Sequence, residues 1–278
     1  MTSPQTAPAE PNERTANPHG DFIWYELMTD NTRAAQTFYA AVLGWTFQDS
    51  GQSDMDYAMF SAQGEGVGGF MALTSEMSAN GAKPCWMAYI KVDDVDAAAK
   101  ALTQAGGTVH RAPWDIPGVG RIAFVADPQG VMFYIMKPKP PAEHANAVST
   151  AFAYDAPMVG HCAWNELATT DQSAAVDFYT QLFGWRQEGD MDMGPTEKYQ
   201  FLYHGEKMLG AVMNKPEEMP VPMWTYYFRV ASIEKAMATI KTHNGQVLNG
   251  PHEIPGGDSM VNCLDPQGAM FSLVGALT

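Results

Sequence analysis

Two short combinations in the 278-residue chain pair an aromatic ring with an ionisable group, Trp24 with Glu26 and Trp164 with Glu166. At a spacing of two in an extended stretch, both side chains leave the same strand face. A Trp there offers a flat stacking platform, and a desolvated Glu beside it has a raised pKa unless a cationic or N–H-bearing partner compensates it. Such a carboxyl can anchor a ligand or act as a general acid or base. The same pair also suits plain packing, the Glu accepting from backbone N–H groups or from a cation such as Arg121.

The other reactive side chains carry less information. Cys85, Cys162 and Cys263 are odd in number and widely separated, with no CxxC, which encodes neither a disulfide frame nor a zinc knuckle and leaves them as small apolar filler. His19, His110, His161 and His252 are each expected at surface or turn positions. Met59, Met71, Met87, Met132, Met213 and Met270 fall on predicted strands, where their flexible thioethers line either a core or a roomy pocket.

Sixteen basic against thirty-one acidic side chains give a net charge of −15, a field that repels phosphate backbones and anionic leaflets. The expectation is no nucleic-acid partner and no membrane surface. No stretch approaches the roughly 20 apolar residues of a bilayer span. The opening MTSPQTAPAEPNERTANPHG has neither the basic nor the apolar region of a secretory signal and reads as a polar, disordered tail over 1–18, so a cytoplasmic protein is expected.

The elements that must position the Trp-x-Glu pairs come twice. Residues 20–45 align without a gap on residues 160–185, with eleven of 26 positions identical, including Ala-Ala, Phe-Tyr and Gly-Trp in register. At an offset of 138, Trp86 then meets Trp224, Ile116-Pro117-Gly118 meets Ile254-Pro255-Gly256, and Asp127-Pro128-Gln129-Gly130 meets Asp265-Pro266-Gln267-Gly268. The Pro- and Ala-rich stretch between the copies marks a linker over 139–157, so the domains are expected at 19–138 and 158–278.

Within the first copy, Phe22, Trp24 and Glu26 alternate as a strand does. A helix follows, capped by Asp30 or Asn31 and stopped by Gly44. Short strands are predicted at Tyr57–Phe60 and Val67–Leu73, then a strand at Trp86–Val92, a helix at Val95–Ala105, and strands near Gly107–His110, Arg121–Ala126 and Val131–Met136. The Asp-Pro-Gln-Gly run fits a type I turn between the last two.

This order, the opening strand ending in Thr-Asp or Thr-Thr-Asp, the FY-x₄-GW helix end and the DPQG turn, resembles the vicinal oxygen chelate superfamily of glyoxalase I, bleomycin-resistance proteins and extradiol dioxygenases. The resemblance implies an α+β fold of two tandem domains. Each would be a pair of βαβββ modules forming a cupped, mixed sheet around a cavity, with modules near 20–73, 84–137, 158–213 and 222–276. The Ile-Pro-Gly segments would lie at the cavity mouth as a lid or a rigid turn, with Trp114 close to the first.

The resemblance also implies where metal ligands, normally His, Glu or Gln, would stand on the first and last strands of each module. This chain has Trp24, Met87 and Tyr134 at those positions in the first domain and Trp164, Thr225 and Ser272 in the second. A divalent ion needs three or four converging ligands, so no metal is expected. The alternative is that Glu26 or Glu166 has taken over with one of the four histidines.

The leading expectation is thus a metal-free protein binding a small aromatic or cationic molecule in its cavities, through Trp24, Glu26, Met87, Tyr134, Trp164 and Glu166. The alternatives are a lyase, isomerase or hydroxylase-like enzyme of the same superfamily using Glu26 or Glu166 as acid, base or metal ligand, and an interaction or regulatory protein that keeps the fold without using the pocket. The chain is expected as a monomer with paired domains or as a homodimer.

Overall fold

A computed structural model describes residues 16–49, 56–140, 147–155, 157–194 and 197–278. The expected tail up to residue 15 and linker residues 141–146 lie outside the described residues.

The alternating opening residues form β1 (Phe22–Thr29), and the helix after it is α1 (Thr32–Leu43). Asn31 caps α1, its side chain accepting from the backbone N–H of Ala34, and Gly44 ends it with φ 70°, a left-handed conformation that favours glycine. The module continues through β2 (Thr46–Asp49), β3 (Tyr57–Ala62) and β4 (Glu65–Ala72). A one-turn helix, α2 (Ser75–Ala79), leads to the second module of β5 (Cys85–Lys91), α3 (Val95–Gln104), β6 (Thr108–Ile116), β7 (Gly120–Ala126) and β8 (Met132–Pro138). Strand β2 is absent from the sequence-based expectation because its four residues, TFQD, are too few to show a period.

The second half repeats this as β9 (Cys162–Thr169), α4 (Gln172–Phe183), β10 (Arg186–Gly194), β11 (Glu197–His204), β12 (Lys207–Asn214), β13 (Met223–Arg229), α5 (Ile233–Thr242), β14 (Gln246–Glu253), β15 (Ser259–Leu264) and β16 (Met270–Gly275). Each half makes one eight-stranded mixed sheet, ordered β2-β3-β4-β1-β5-β8-β7-β6 and β10-β11-β12-β9-β13-β16-β15-β14. The first strands of the two modules lie antiparallel at the centre, Glu26 opposite Met87 and Glu166 opposite Thr225.

The backs of the two sheets and the helices share one apolar core drawn from both halves, including Tyr25, Leu27, Trp45, Trp86, Trp185, Trp224 and Phe228. The Nε1 of Trp45 donates to Gly160 O at 2.7 Å, and the Nε1 of Trp185 donates to Gly20 O at 2.8 Å. The segment from residue 147 also packs down: Ser149 Oγ donates to Ile23 O at 2.6 Å, and Phe152 bridges Cys162. It covers His161, which is fully buried with Nδ1 against Thr150 O at 2.6 Å rather than at an exposed turn. Among the described residues no helix is long and apolar enough to cross a membrane.

Candidate functional site

The fronts of the sheets, facing away from the shared core, carry the Trp-x-Glu pairs. On the first sheet, register places Trp24 beside Tyr89, Glu26 beside both Met87 and Gly69, Tyr89 beside Tyr134, and Tyr134 beside Phe124. Because alternate residues share a face, these side chains form one patch. Met28, Met87, Tyr89, Ile122, Tyr134 and Met136 pack there as a buried cluster separate from the main core. Trp114 and Ile116 pack against its edge, as Ile254 does in the second half, so both Ile-Pro-Gly segments sit at the rims. Arg111 lies over the Trp114 ring, 3.8 Å from its centroid.

Glu26 is 2% exposed. The Tyr89 hydroxyl donates to its Oε2 at 2.9 Å, and Tyr57 also hydrogen-bonds the carboxyl. The Tyr57 oxygen accepts from Trp24 Nε1 at 3.0 Å, which turns the phenolic hydrogen away from the indole and toward the carboxyl. Oε1 has no hydrogen-bond partner. Burial pushes the carboxyl up to about 7, against the lowering effect of the two phenols. Tyr57 reaches this place because residue 69 is glycine: a Cβ there would lie 2.0 Å from the Tyr57 hydroxyl. The outer side of Tyr57 borders a 590 Å³ groove lined by Asp30, Asn31, Arg33, Phe47 and Asp56.

The second sheet assembles the same four groups. Trp164 Nε1 donates to the Tyr199 oxygen at 2.7 Å, Tyr199 donates to Glu166 Oε2 at 2.6 Å, and Tyr227 donates to Oε1 at 3.0 Å. Desolvation raises the Glu166 pKa, with both phenols again opposing it. Unlike Glu26, Glu166 keeps partial exposure.

All six residues read from the sequence therefore lie on the fronts, Trp24, Glu26, Met87 and Tyr134 on one and Trp164 and Glu166 on the other. Sequence reasoning missed the phenols. Tyr89 and Tyr227 repeat at the same offset of 138 as Trp86 and Trp224, a signal that was available. Tyr57 and Tyr199 stand 142 apart, outside either alignment offset, and only strand pairing shows their equivalence.

Arg121, considered as a partner for Glu26, instead pairs with Asp96 at 2.6 Å and Asp115 at 3.0 Å on the surface. The histidines do not join the carboxyls. His19 meets Leu182 O at 2.9 Å, His252 meets Asn249 Oδ1 at 2.7 Å, and His110 lies against the Phe124 ring. The donor set around each Glu is one carboxyl and two phenols, the phenols held well above their usual pKa by burial and by the carboxyl itself. Among the described residues no three His, Cys, Asp or Glu side chains converge. That set does not fit a divalent ion, which needs three or four deprotonated or imidazole ligands.

The chain resembles known proteins over most of its length. It is 30% identical over 254 residues to CFP32 of Mycobacterium tuberculosis, which carries a glyoxylase name, the match covering 90% of this chain and 93% of that one. It is 28% identical over 265 residues to the anthracycline biosynthesis protein DnrV of Streptomyces peucetius, covering 90% and 91%. The Mn(II)-bound glyoxalase from Novosphingobium aromaticivorans shares the fold with a TM-score of 0.61 at 16% identity, over 94% of this chain and 83% of that one. The Glyoxalase/Bleomycin resistance protein/Dioxygenase superfamily model matches residues 22–135 and 158–273, one match per sheet, and the chain belongs to that superfamily.

Proposed function

We propose that the chain binds a small aromatic or cationic organic molecule on the fronts of its sheets, without a divalent metal. Trp24 or Trp164 supplies the stacking surface and Glu26 or Glu166 the anchor. One observation carries this reading: each front desolvates an ionisable carboxyl inside a ring of aromatic groups. Burying a carboxyl costs stability, and a strand face built for packing alone is served better by apolar side chains. The name of DnrV makes an anthracycline, an aromatic compound class, the first probe.

Titration of the protein with an anthracycline and with a panel of aromatic amines, followed by tryptophan quenching, is expected to saturate without consuming the compound. Glu166→Gln keeps the shape and removes the charge, and is expected to weaken a cationic ligand by roughly 1.5–3 kcal/mol, about ten- to a hundredfold. Binding of every compound at parental strength by Glu26→Gln, Glu166→Gln, Trp24→Ala and Trp164→Ala would overturn the reading.

A second reading is supported by Glu26. A carboxyl raised to about 7 with one oxygen free is suited to move a proton near neutral pH. An enzyme of this kind would consume its ligand with a pH inflection near that value, and Glu26→Gln would abolish turnover while leaving binding.

A further inference from the structure

The two fronts carry the same Trp, Glu and two Tyr, but different walls around them. By strand register, Met87 of the first corresponds to Thr225 of the second, Phe124 to Asn262 and Tyr134 to Ser272. Around Glu26 the wall is thioether and ring. Tyr134 stacks on Tyr89 with centroids 4.4 Å apart and meets Phe124 at 5.0 Å, and this packing closes over the carboxyl.

Around Glu166 the wall is hydroxyl and amide. Asn262 Nδ2 donates to Ser272 Oγ at 2.7 Å and approaches the Tyr227 oxygen at 3.4 Å, and Tyr227 in turn donates to Glu166. With Nδ2 turned to the serine, Asn262 Oδ1 keeps, among the described residues, a single long contact, 3.4 Å from Asn249 Nδ2. Serine in place of tyrosine also removes the ring that caps the first front. Glu166 and Asn262 are both partly exposed, and because both Glu166 oxygens already accept from phenols, the acceptor left with room for a ligand's donor is the Asn262 amide oxygen.

We propose that Asn262 and Ser272 are specificity-determining residues, which make the second front select for a ring carrying an O–H or N–H donor on its edge while the ring lies against Trp164. The inference rests on the reading that the fronts bind small organic molecules, and it divides the labour between them. A donor reaching the second front satisfies the Asn262 amide oxygen. A methyl group in the same place leaves that oxygen with its one long contact alone, which is the situation polar sites reject most strongly. In the first front the residue matching Asn262 is Phe124, which carries no acceptor, and Glu26 is 2% exposed, so this front makes no such distinction.

The test uses the full chain and two probes of nearly equal shape, 2-naphthol and 2-methylnaphthalene, in equilibrium dialysis. The parent is expected to hold 2-naphthol about tenfold more tightly. The variant Asn262→Leu with Ser272→Ala keeps the approximate volume and removes the polar wall, and its preference is expected to fall to near one with methylnaphthalene binding retained. Phe124→Asn with Tyr134→Ser is expected to give the first front the same preference, so that both sites of the variant favour 2-naphthol. A parent without preference, or a leucine–alanine variant that keeps the tenfold ratio while melting as the parent does, overturns the proposal and leaves the binding reading standing. Failure of the parent to bind either compound up to its solubility overturns both.

Discussion

The hydroxyl of Tyr39 donates to Oδ2 of Asp265 at 3.2 Å, joining the FY motif of one half to the DPQG turn of the other. The mirror contact, Tyr179 to Asp127, is 3.1 Å long. Each phenol also accepts from an indole, Trp86 Nε1 on Tyr39 and Trp224 Nε1 on Tyr179, both at 3.0 Å. Each Asp accepts from two backbone N–H groups of its own turn, Gln129 and Val131 or Gln267 and Ala269. The motifs that recur along the chain are thus the pins of a pseudo-twofold interface, and their repetition is what lets each half complete the other.

The first half by itself still holds both members of every pin, Tyr39 with Asp127 and Trp45 with Gly20. Residues 16–140 expressed alone are therefore expected to pair with a second copy in the same geometry, since the buried indoles and phenols would otherwise face water. Sedimentation should show a dimer whose melt depends on concentration. A monomer with a cooperative, concentration-independent melt would show that the interface contributes little.

The raised pKa of Glu26 makes a directional statement about pH. A folded-state carboxyl at about 7 against 4.5 unfolded means that the folded chain holds a proton the unfolded chain has released. Its contribution to stability is then lost as pH rises between those values, by on the order of 3 kcal/mol, and changes no further above the higher one. Glu26→Gln is expected to lack this loss, so its melting temperature should gain on the parent from pH 5 to 7. A parallel pair of curves would show that the carboxyl is not desolvated.

How much of this was legible in the sequence follows from what each feature depends on. Helix α1 is legible to within one residue because the Asp30-Asn31 cap and Gly44 are local signals, the duplication is legible because eleven identities in register need no structure to see, and the fold follows from the family resemblance that the repeated motifs carry. Trp24 and Glu26 were found through the period of a strand. The phenols that hold Glu26 were not, because Tyr57 arrives from a strand two places away in the sheet and depends on the absent Cβ of Gly69. Arg121, one example of a cation for the Glu, goes elsewhere for the same reason: its partners Asp96 and Asp115 are chosen by the packing of α3 against β6 and β7, not by sequence distance.

Purified protein is expected to hold far less than one equivalent of Zn, Ni, Fe or Mn per half. One carboxyl and two high-pKa phenols offer a single ready ligand where three or four are required. Elemental analysis after dialysis checks this. One tightly held ion per chain, lost in Glu26→Gln or Glu166→Gln, would restore the metal-dependent reading.

The duplication is broken at Asp21, and the break has the opposite pH signature to Glu26. Its counterpart in the second copy is His161, whereas Asp21 is 2% exposed, joins the halves by accepting from His204 Nδ1 at 2.8 Å and Lys207 Nζ at 2.9 Å, and also accepts from Asn17 Nδ2 on its own side at 3.0 Å. These donors outweigh the burial that opposes them and hold the carboxyl below its ordinary 3.8. The stabilisation is therefore fully present above the unfolded value and lost as pH falls through the lower, folded one. Lys207 is 40% exposed and is screened by water, so most of the effect lies in the hydrogen bonds from His204 and Asn17. Asp21→Asn is expected to cost roughly 1–3 kcal/mol near neutral pH in urea unfolding, with the gap to the parent closing as the solution is acidified below 3.8. A gap that widens on acidification would mean that the Asp21 carboxyl is held neutral by burial, as Glu26 is, and that the cross-half contact is not an ionic one.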